Sequence, residues 1–186
     1  NNNFRADFIF ENLTIQNNIF NAVLKYKIKN FTFIGSSCIY PKKNKLPIKE
    51  EYLLTGPLEK TNYAYAIAKI AGVKAVQAIN QQHKKKYKAA MLTNMYGPND
   101  NFDLKTSHVV PALIRKIYEA KIKNQKRVEI WGTGKPKRDV LFVEEAARAI
   151  LLYHEKGKNV QIMNIGSGKE LSIKQIAKNI SEVVGF

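Results

Sequence analysis

Apolar positions recur at helical spacing from Ala6 to Val23, at Ile9, Leu13, Ile19, Phe20 and Val23. The pattern predicts an amphipathic helix that ends in the lysine-rich stretch after it. Phe31-Thr32-Phe33-Ile34 is a short, unbroken apolar run stopped by Gly35, which suits a parallel strand covered on both faces. Pro41, Pro47, Gly56 and Pro57 then punctuate a loop. Thr61 or Asn62 is placed to cap a helix reaching Lys85. Ala89 to Thr93 predicts a second buried strand, ending at Asn94 before a turn at Tyr96-Gly97-Pro98. Further on come a helix from Val109 to Lys123 and a short strand, Val128 to Trp131, closed by Gly132-Thr133-Gly134. Val140 to Val143 leads into a helix from Glu144 to Glu155, Gln161 to Ile165 reads as a strand, and Ser172 caps a last helix to Val184. Strands alternating with helices in this way predict an α/β fold with a parallel sheet.

A chain of 186 residues with 45% hydrophobic content is long enough to build a core. No apolar run approaches the ~20 residues that cross a bilayer and no signal peptide opens the chain, so no membrane partner is expected. The single cysteine, Cys38, excludes an internal disulfide and fits a reducing, cytoplasmic setting. The net charge of +16, from 31 basic and 15 acidic residues, raises the question of nucleic acid. The lysines, however, are spread over helix surfaces and loops, with short clusters at Lys42-Lys43 and Lys84-Lys85-Lys86. No basic run is interleaved with aromatics as on a single-strand-binding face, so no nucleic-acid partner is expected. A phosphorylated substrate would be drawn by the same field.

Candidate chemistry begins with Tyr65 and Lys69, four residues apart and therefore on one face of a helix. An ammonium beside a phenol favours phenolate and is expected to lower the tyrosine pKa. Such a tyrosine can exchange a proton with a carbonyl or alcohol oxygen. In open α/β sheets, ligands bind beyond the carboxyl ends of the strands. Ser36-Ser37-Cys38 follows one predicted strand and Asn94 ends another. Taken singly, each has a plainer reading: the serines as loop residues bonding their own backbone, Cys38 as a small apolar side chain, His108 as a polar helix-start residue.

Together, the segments Gly35-Ser36-Ser37-Cys38-Ile39-Tyr40-Pro41, Tyr65 to Gly72, Thr93-Asn94, Tyr96-Gly97-Pro98, Asp100-Asn101-Phe102, Ser107-His108-Val109 and Trp131-Gly132 span nearly the whole chain. They resemble the extended short-chain dehydrogenase/reductase family, in the branch acting on GDP-4-keto sugars. The resemblance implies NADPH-dependent epimerisation at carbons 3 and 5 and reduction at carbon 4 of GDP-4-keto-6-deoxymannose, giving GDP-L-fucose. Related GDP-sugars, such as a GDP-6-deoxyheptose, are the alternative within the family. It implies that Ser36, Tyr65 and Lys69 form the reductase triad and that Cys38 and His108 are base and acid of the epimerisation. Tyr65, Lys69, Asn94 and His108 would contact the cofactor. Ser36, Ser37, Asn94, Lys116, Trp131 and Arg138 would contact the GDP-sugar. No metal is implied, and a homodimer is.

Three departures qualify the match. Ala64 stands where relatives carry proline, and Lys116 where a relative has an arginine; lysine keeps the charge but not the bidentate fork. No glycine-rich turn of the kind that seats a cofactor pyrophosphate follows a first strand; Gly132-Thr133-Gly134 and Gly166-Ser167-Gly168 read as turns. The chain therefore reads as an internal fragment, with the first two βαβ units missing. Its expected fold is α/β: a partial Rossmann-type parallel sheet with part of a smaller substrate-binding domain. Residues 1–95 and 139–165 are assigned to the former, 96–138 and 166–186 to the latter. A non-catalytic piece lacking a working cofactor site is the reading of another class.

Overall fold

The computed structural model describes residues 4–157 and 159–186. The chain divides into two compact units, one running to Thr93 and resuming over Ala147–Ile165, the other Asn94–Ala146 with Gly166–Phe186.

The first unit is an α/β layer of Rossmann type. Helix α1 (Arg5–Lys25) leads to strand β1 (Thr32–Ser36), then helix α2 (Tyr63–His83) and strand β2 (Lys88–Leu92). Strand β5 (Ile162–Ile165) completes a parallel sheet in the order β1-β2-β5, with Ser36 opposite Leu92 and Met91 opposite Asn164. Alanine and glycine let α2 lie close on its neighbours: Ala66, Ala68 and Gly72 are buried beside Ile70, Val73 and Val76. Gly72 has no room for a side chain, because an added Cβ would lie 2.7 Å from Phe33 Cε1 and 2.9 Å from Gln16 Oε1. Buried Gln16 spends its amide on α2, donating to the Ala68 carbonyl at 3.0 Å. Phe20, Phe33, Tyr87 and Met91 fill the core between these elements. At the opposite end of the sheet, Lys88 Nζ donates to the carbonyls of Tyr153 (2.8 Å) and His154 (2.6 Å). It thereby adds a partner to carbonyls in the last turn of a helix, where Tyr153 also accepts from the Gly157 N–H at 3.0 Å. That helix is α4 (Val143–Lys156), which begins in the second unit.

In the second unit, strand β3 (Asn94–Tyr96) pairs in parallel with β4 (Lys137–Phe142), and β6 (Glu170–Ser172) pairs antiparallel with β4. Helices α3 (Val109–Ile122) and α5 (Ile173–Val184) share a core of Val110, Leu113, Ile117, Ile176 and Ala177. Ser172 caps α5 as its sequence predicts, accepting from Gln175 N–H at 3.1 Å in a reciprocal capping box.

Several expectations need correction. The expected parallel sheet is β1–β2–β5, and a second, mixed sheet, β3–β4–β6, was not anticipated. Val128 to Trp131 is not a strand: Val128 and Ile130 turn inward and pack on the α3–α5 core, but the segment pairs with no ladder. Neither Thr61 nor Asn62 caps α2 with its side chain; a 3-10 turn over Lys60–Asn62 enters it instead, and Glu59 accepts from the Thr61 N–H. Gly132, Gly134 and Gly168 are turn residues at φ of +74°, +67° and +73°. Among the described residues no helix is long and apolar enough to cross a membrane.

Candidate active site

The carboxyl end of β1 and the first turns of α2 bring four of the predicted residues together. Ser36 is the last residue of β1, and its hydroxyl accepts from the Cys38 backbone N–H at 3.4 Å. It thereby caps a 3-10 turn, Ser37–Ile39, that carries Cys38. Tyr65 and Lys69 stand one turn apart on α2. Lys69 Nζ donates to the Ile34 carbonyl at 3.0 Å and lies 5.2 Å from the Phe33 ring centre and 5.6 Å from that of Tyr65. The ammonium thus sits on ring faces, where their quadrupoles attract a cation.

The expected lowering of the Tyr65 pKa is not found. Burial raises it above the ordinary phenol range and nearby Cys38 raises it further. The spacing places Lys69 as predicted, but its charge meets the ring face and a backbone carbonyl while the phenol loses water. Burial lowers the Lys69 pKa, against a pull upward from Cys38. Burial also pushes the Cys38 thiol up, partly offset by its hydrogen bonds and by Lys69. Tyr65 thus keeps its proton to higher pH than an ordinary phenol, and Cys38 to higher pH than an ordinary thiol.

Ser37 apart, the other predicted residues lie in the second unit. Asn94 opens β3 and its Nδ2 donates to the Asp139 carbonyl at 3.2 Å. His108 is exposed at the N-cap position of α3 and makes no capping bond with its side chain. Lys116 Nζ lies 4.3 Å from the centre of the Trp131 ring, which is 73% exposed. Arg138 Nη1 donates to the Lys137 carbonyl at 2.7 Å. Ser37 is half-buried within the 3-10 turn. Among the described residues, no group of His, Cys, Asp or Glu is gathered to hold a metal ion.

Two polar clusters escaped the sequence reading. Asp139 accepts from Ser167 N–H (3.0 Å), Ser167 Oγ (2.7 Å) and Gly168 N–H (3.1 Å), fixing the Gly166-Ser167-Gly168 turn. Tyr40, Asn164 and Glu50 form the other, beside the Cys38 turn. The only signal for Asp139 was its place next to Arg138; partners far along the chain left none for Asn164.

A serine, a tyrosine and a lysine are thus gathered at the end of a parallel strand. Residues 1–166 match the NAD dependent epimerase/dehydratase family, and the chain belongs to it. It is 49% identical over 186 residues to the GDP-L-fucose synthase of Sinorhizobium fredii, covering 100% of this chain and 59% of that protein. The GDP-L-fucose synthetase of Naegleria fowleri bound to NADP superposes with a TM-score of 0.91 at 30% identity, over 98% of this chain and 59% of that one. A GDP-D-glycero-L-gluco-heptose synthase from Campylobacter jejuni, solved in the presence of NADPH, gives 0.87 at 32% identity, over 100% and 66%. The chain spans 59% of the length of the Sinorhizobium relative.

Proposed function

We propose that the whole protein carrying this chain is an NADPH-dependent enzyme that epimerises carbons 3 and 5 and reduces carbon 4 of GDP-4-keto-6-deoxymannose, giving GDP-L-fucose. The observation that carries this reading is the gathering of Ser36, Cys38, Tyr65 and Lys69 where β1 meets its loop. The named relatives support it.

Protons on carbons 3 and 5 are acidic because the carbonyl between them accepts the charge as an enolate. Inversion takes a base on one face and an acid on the other. Cys38 removes the proton and His108 returns one. Ser36 and Tyr65 hold the carbon-4 oxygen, and Tyr65, kept protonated by burial, gives its proton there. NADPH, when bound, supplies the hydride to carbon 4. The residues present fit its nicotinamide ribose, since an ammonium has three donors and that of Lys69 directs one at Ile34. Asn94, Trp131, Lys116 and Arg138 bind the GDP-sugar, Arg138 by charge-assisted bonds to diphosphate. In this reading the first unit is the cofactor domain and the second the substrate domain. The protein is cytoplasmic and a homodimer. Phe10, Ile15 and Ile19 of α1, which are 67%, 59% and 44% exposed, supply apolar surface for the second copy.

The test is incubation of the whole protein with GDP-4-keto-6-deoxymannose and NADPH. GDP-L-fucose is the expected product. No conversion, together with turnover of a GDP-4-keto-heptose, would move the substrate to the second reading, which the Campylobacter heptose synthase favours.

A further inference from the structure

Cys38 is carried on a single 3-10 turn, Ser37–Ile39, between two anchors of different kinds. Ser36, on the strand side, is held by the β1–β2 ladder. Tyr40, on the far side, is 4% exposed and is held by its hydroxyl. Tyr40 OH donates to Asn164 Oδ1 at 2.6 Å, across 124 residues of sequence. Asn164 is itself fixed by further bonds. Its Nδ2 donates to the Ile48 carbonyl at 3.0 Å, and its backbone N–H donates to Glu50 Oε1 at 2.8 Å. Both ends of its amide are thus satisfied, which fixes the orientation that presents Oδ1 to Tyr40. Burial, and then the Glu50 carboxylate, keep the Tyr40 phenol protonated well above the usual range, so it remains a donor throughout the working range.

We propose that Tyr40 and Asn164 are positioning residues for Cys38, their hydrogen bond pinning the far end of the turn so that the sulfur is held at one place beside Tyr65. Ile39, fully buried, seats the turn by apolar packing, but packing lacks the direction of a hydrogen bond. Tyr65 and Lys69, set by α2, do not depend on this pin, and the Ser36 backbone is held by the ladder while its hydroxyl caps the same turn. Loss of the pin therefore separates the two half-reactions, weakening proton abstraction while cofactor binding persists. The inference rests on the assignment of Cys38 as the epimerisation base.

Tyr40→Phe in the whole protein removes one hydroxyl and keeps the ring. Two rates are read. One is iodoacetamide alkylation of Cys38, followed on the peptide that carries it. The other is deuterium uptake at carbons 3 and 5 of GDP-4-keto-6-deoxymannose in D2O without NADPH. Alkylation is expected to quicken several-fold. Deuterium uptake is expected to fall about tenfold or more, as misplacement of a reacting group by about 1 Å does, with NADPH affinity unchanged. Asn164→Leu, which keeps the backbone bond to Glu50, is expected to do the same. Because Asn164→Leu also removes the Nδ2 bond to Ile48, the double variant should add nothing beyond Asn164→Leu alone. Wild-type rates of alkylation and uptake in Tyr40→Phe overturn the proposal. So does a loss of NADPH affinity as large as the loss of uptake, which would mean general damage to the unit. A wild-type protein that takes up no deuterium removes the epimerase reading instead, and the alkylation rates still decide whether Tyr40 holds Cys38.

Discussion

Gly72→Ala sets two effects of opposite sign against each other at one atom. On helix propensity alone, alanine in place of glycine inside a 21-residue helix stabilises by about 1 kcal/mol. The added Cβ, however, would lie 2.7 Å from Phe33 Cε1 and closer still to Cζ. Phe33 cannot swing away freely, being 7% exposed and packed against the ring of Phe20 at 5.7 Å. Overpacking of this kind costs about 1–3 kcal/mol. The same Cβ would lie 2.9 Å from Gln16 Oε1, and displacing Gln16 strains its buried bond to Ala68, at about 1 kcal/mol. The clash wins by about 1–3 kcal/mol net, a fall in Tm of about 3–10 °C for a chain of this size. Because the Phe33 ring also supports the Lys69 ammonium at 5.2 Å, NADPH affinity should fall with it. Thermal unfolding by circular dichroism and NADPH titration read the two effects, and Phe33→Leu in the Gly72→Ala background should recover part of the Tm. A rise in Tm for Gly72→Ala alone would refute the close approach of α2 to β1.

Tyr65→Phe removes the proposed proton donor, and single-turnover NADPH oxidation should fall by about 10²–10⁴ while deuterium uptake at carbons 3 and 5 continues; loss of both would contradict separate acid and base. Uptake should depend on pH through Cys38: thiolate is the active form and burial raises the thiol pKa, so the rate climbs about tenfold per pH unit and is still climbing at the ordinary thiol value of 9.0. A plateau below neutrality would mean another base. Lys116→Ala should weaken GDP binding about tenfold or more, as expected for loss of a charge-assisted bond. The exposed stack on Trp131 is worth only about 0.5–1 kcal/mol, so calorimetry with GDP should register the change while Tm barely moves; unchanged affinity would remove Lys116 from the site.

Long elements were legible because burial repeats along them. The apolar spacing in α1 and the unbroken run in β1 place both within a residue or two of their observed limits. Strands β3 and β6 were missed because three residues cannot establish a period, and Asn94 opens one of them as a polar residue. Val128 to Trp131 shows the reverse failure: alternation marks an inward and an outward face, but a ladder needs a partner. At the site, the i, i+4 geometry of Tyr65 and Lys69 was readable from spacing, whereas the sign of the tyrosine shift was not. That sign depends on burial and on where the ammonium points, toward Ile34 and two ring faces. Asn164 was out of reach for the same reason, since its meaning lies in Tyr40, 124 residues away.

In the proposed function one protein inverts two carbons and then reduces the carbonyl between them. The most direct test is to turn over GDP-4-keto-6-deoxymannose with NADPH in D2O and locate the label in the product by NMR. GDP-L-fucose with deuterium at carbons 3 and 5 and protium at carbon 4 is the predicted result. A reduced sugar that keeps the manno configuration and carries no deuterium would contradict it.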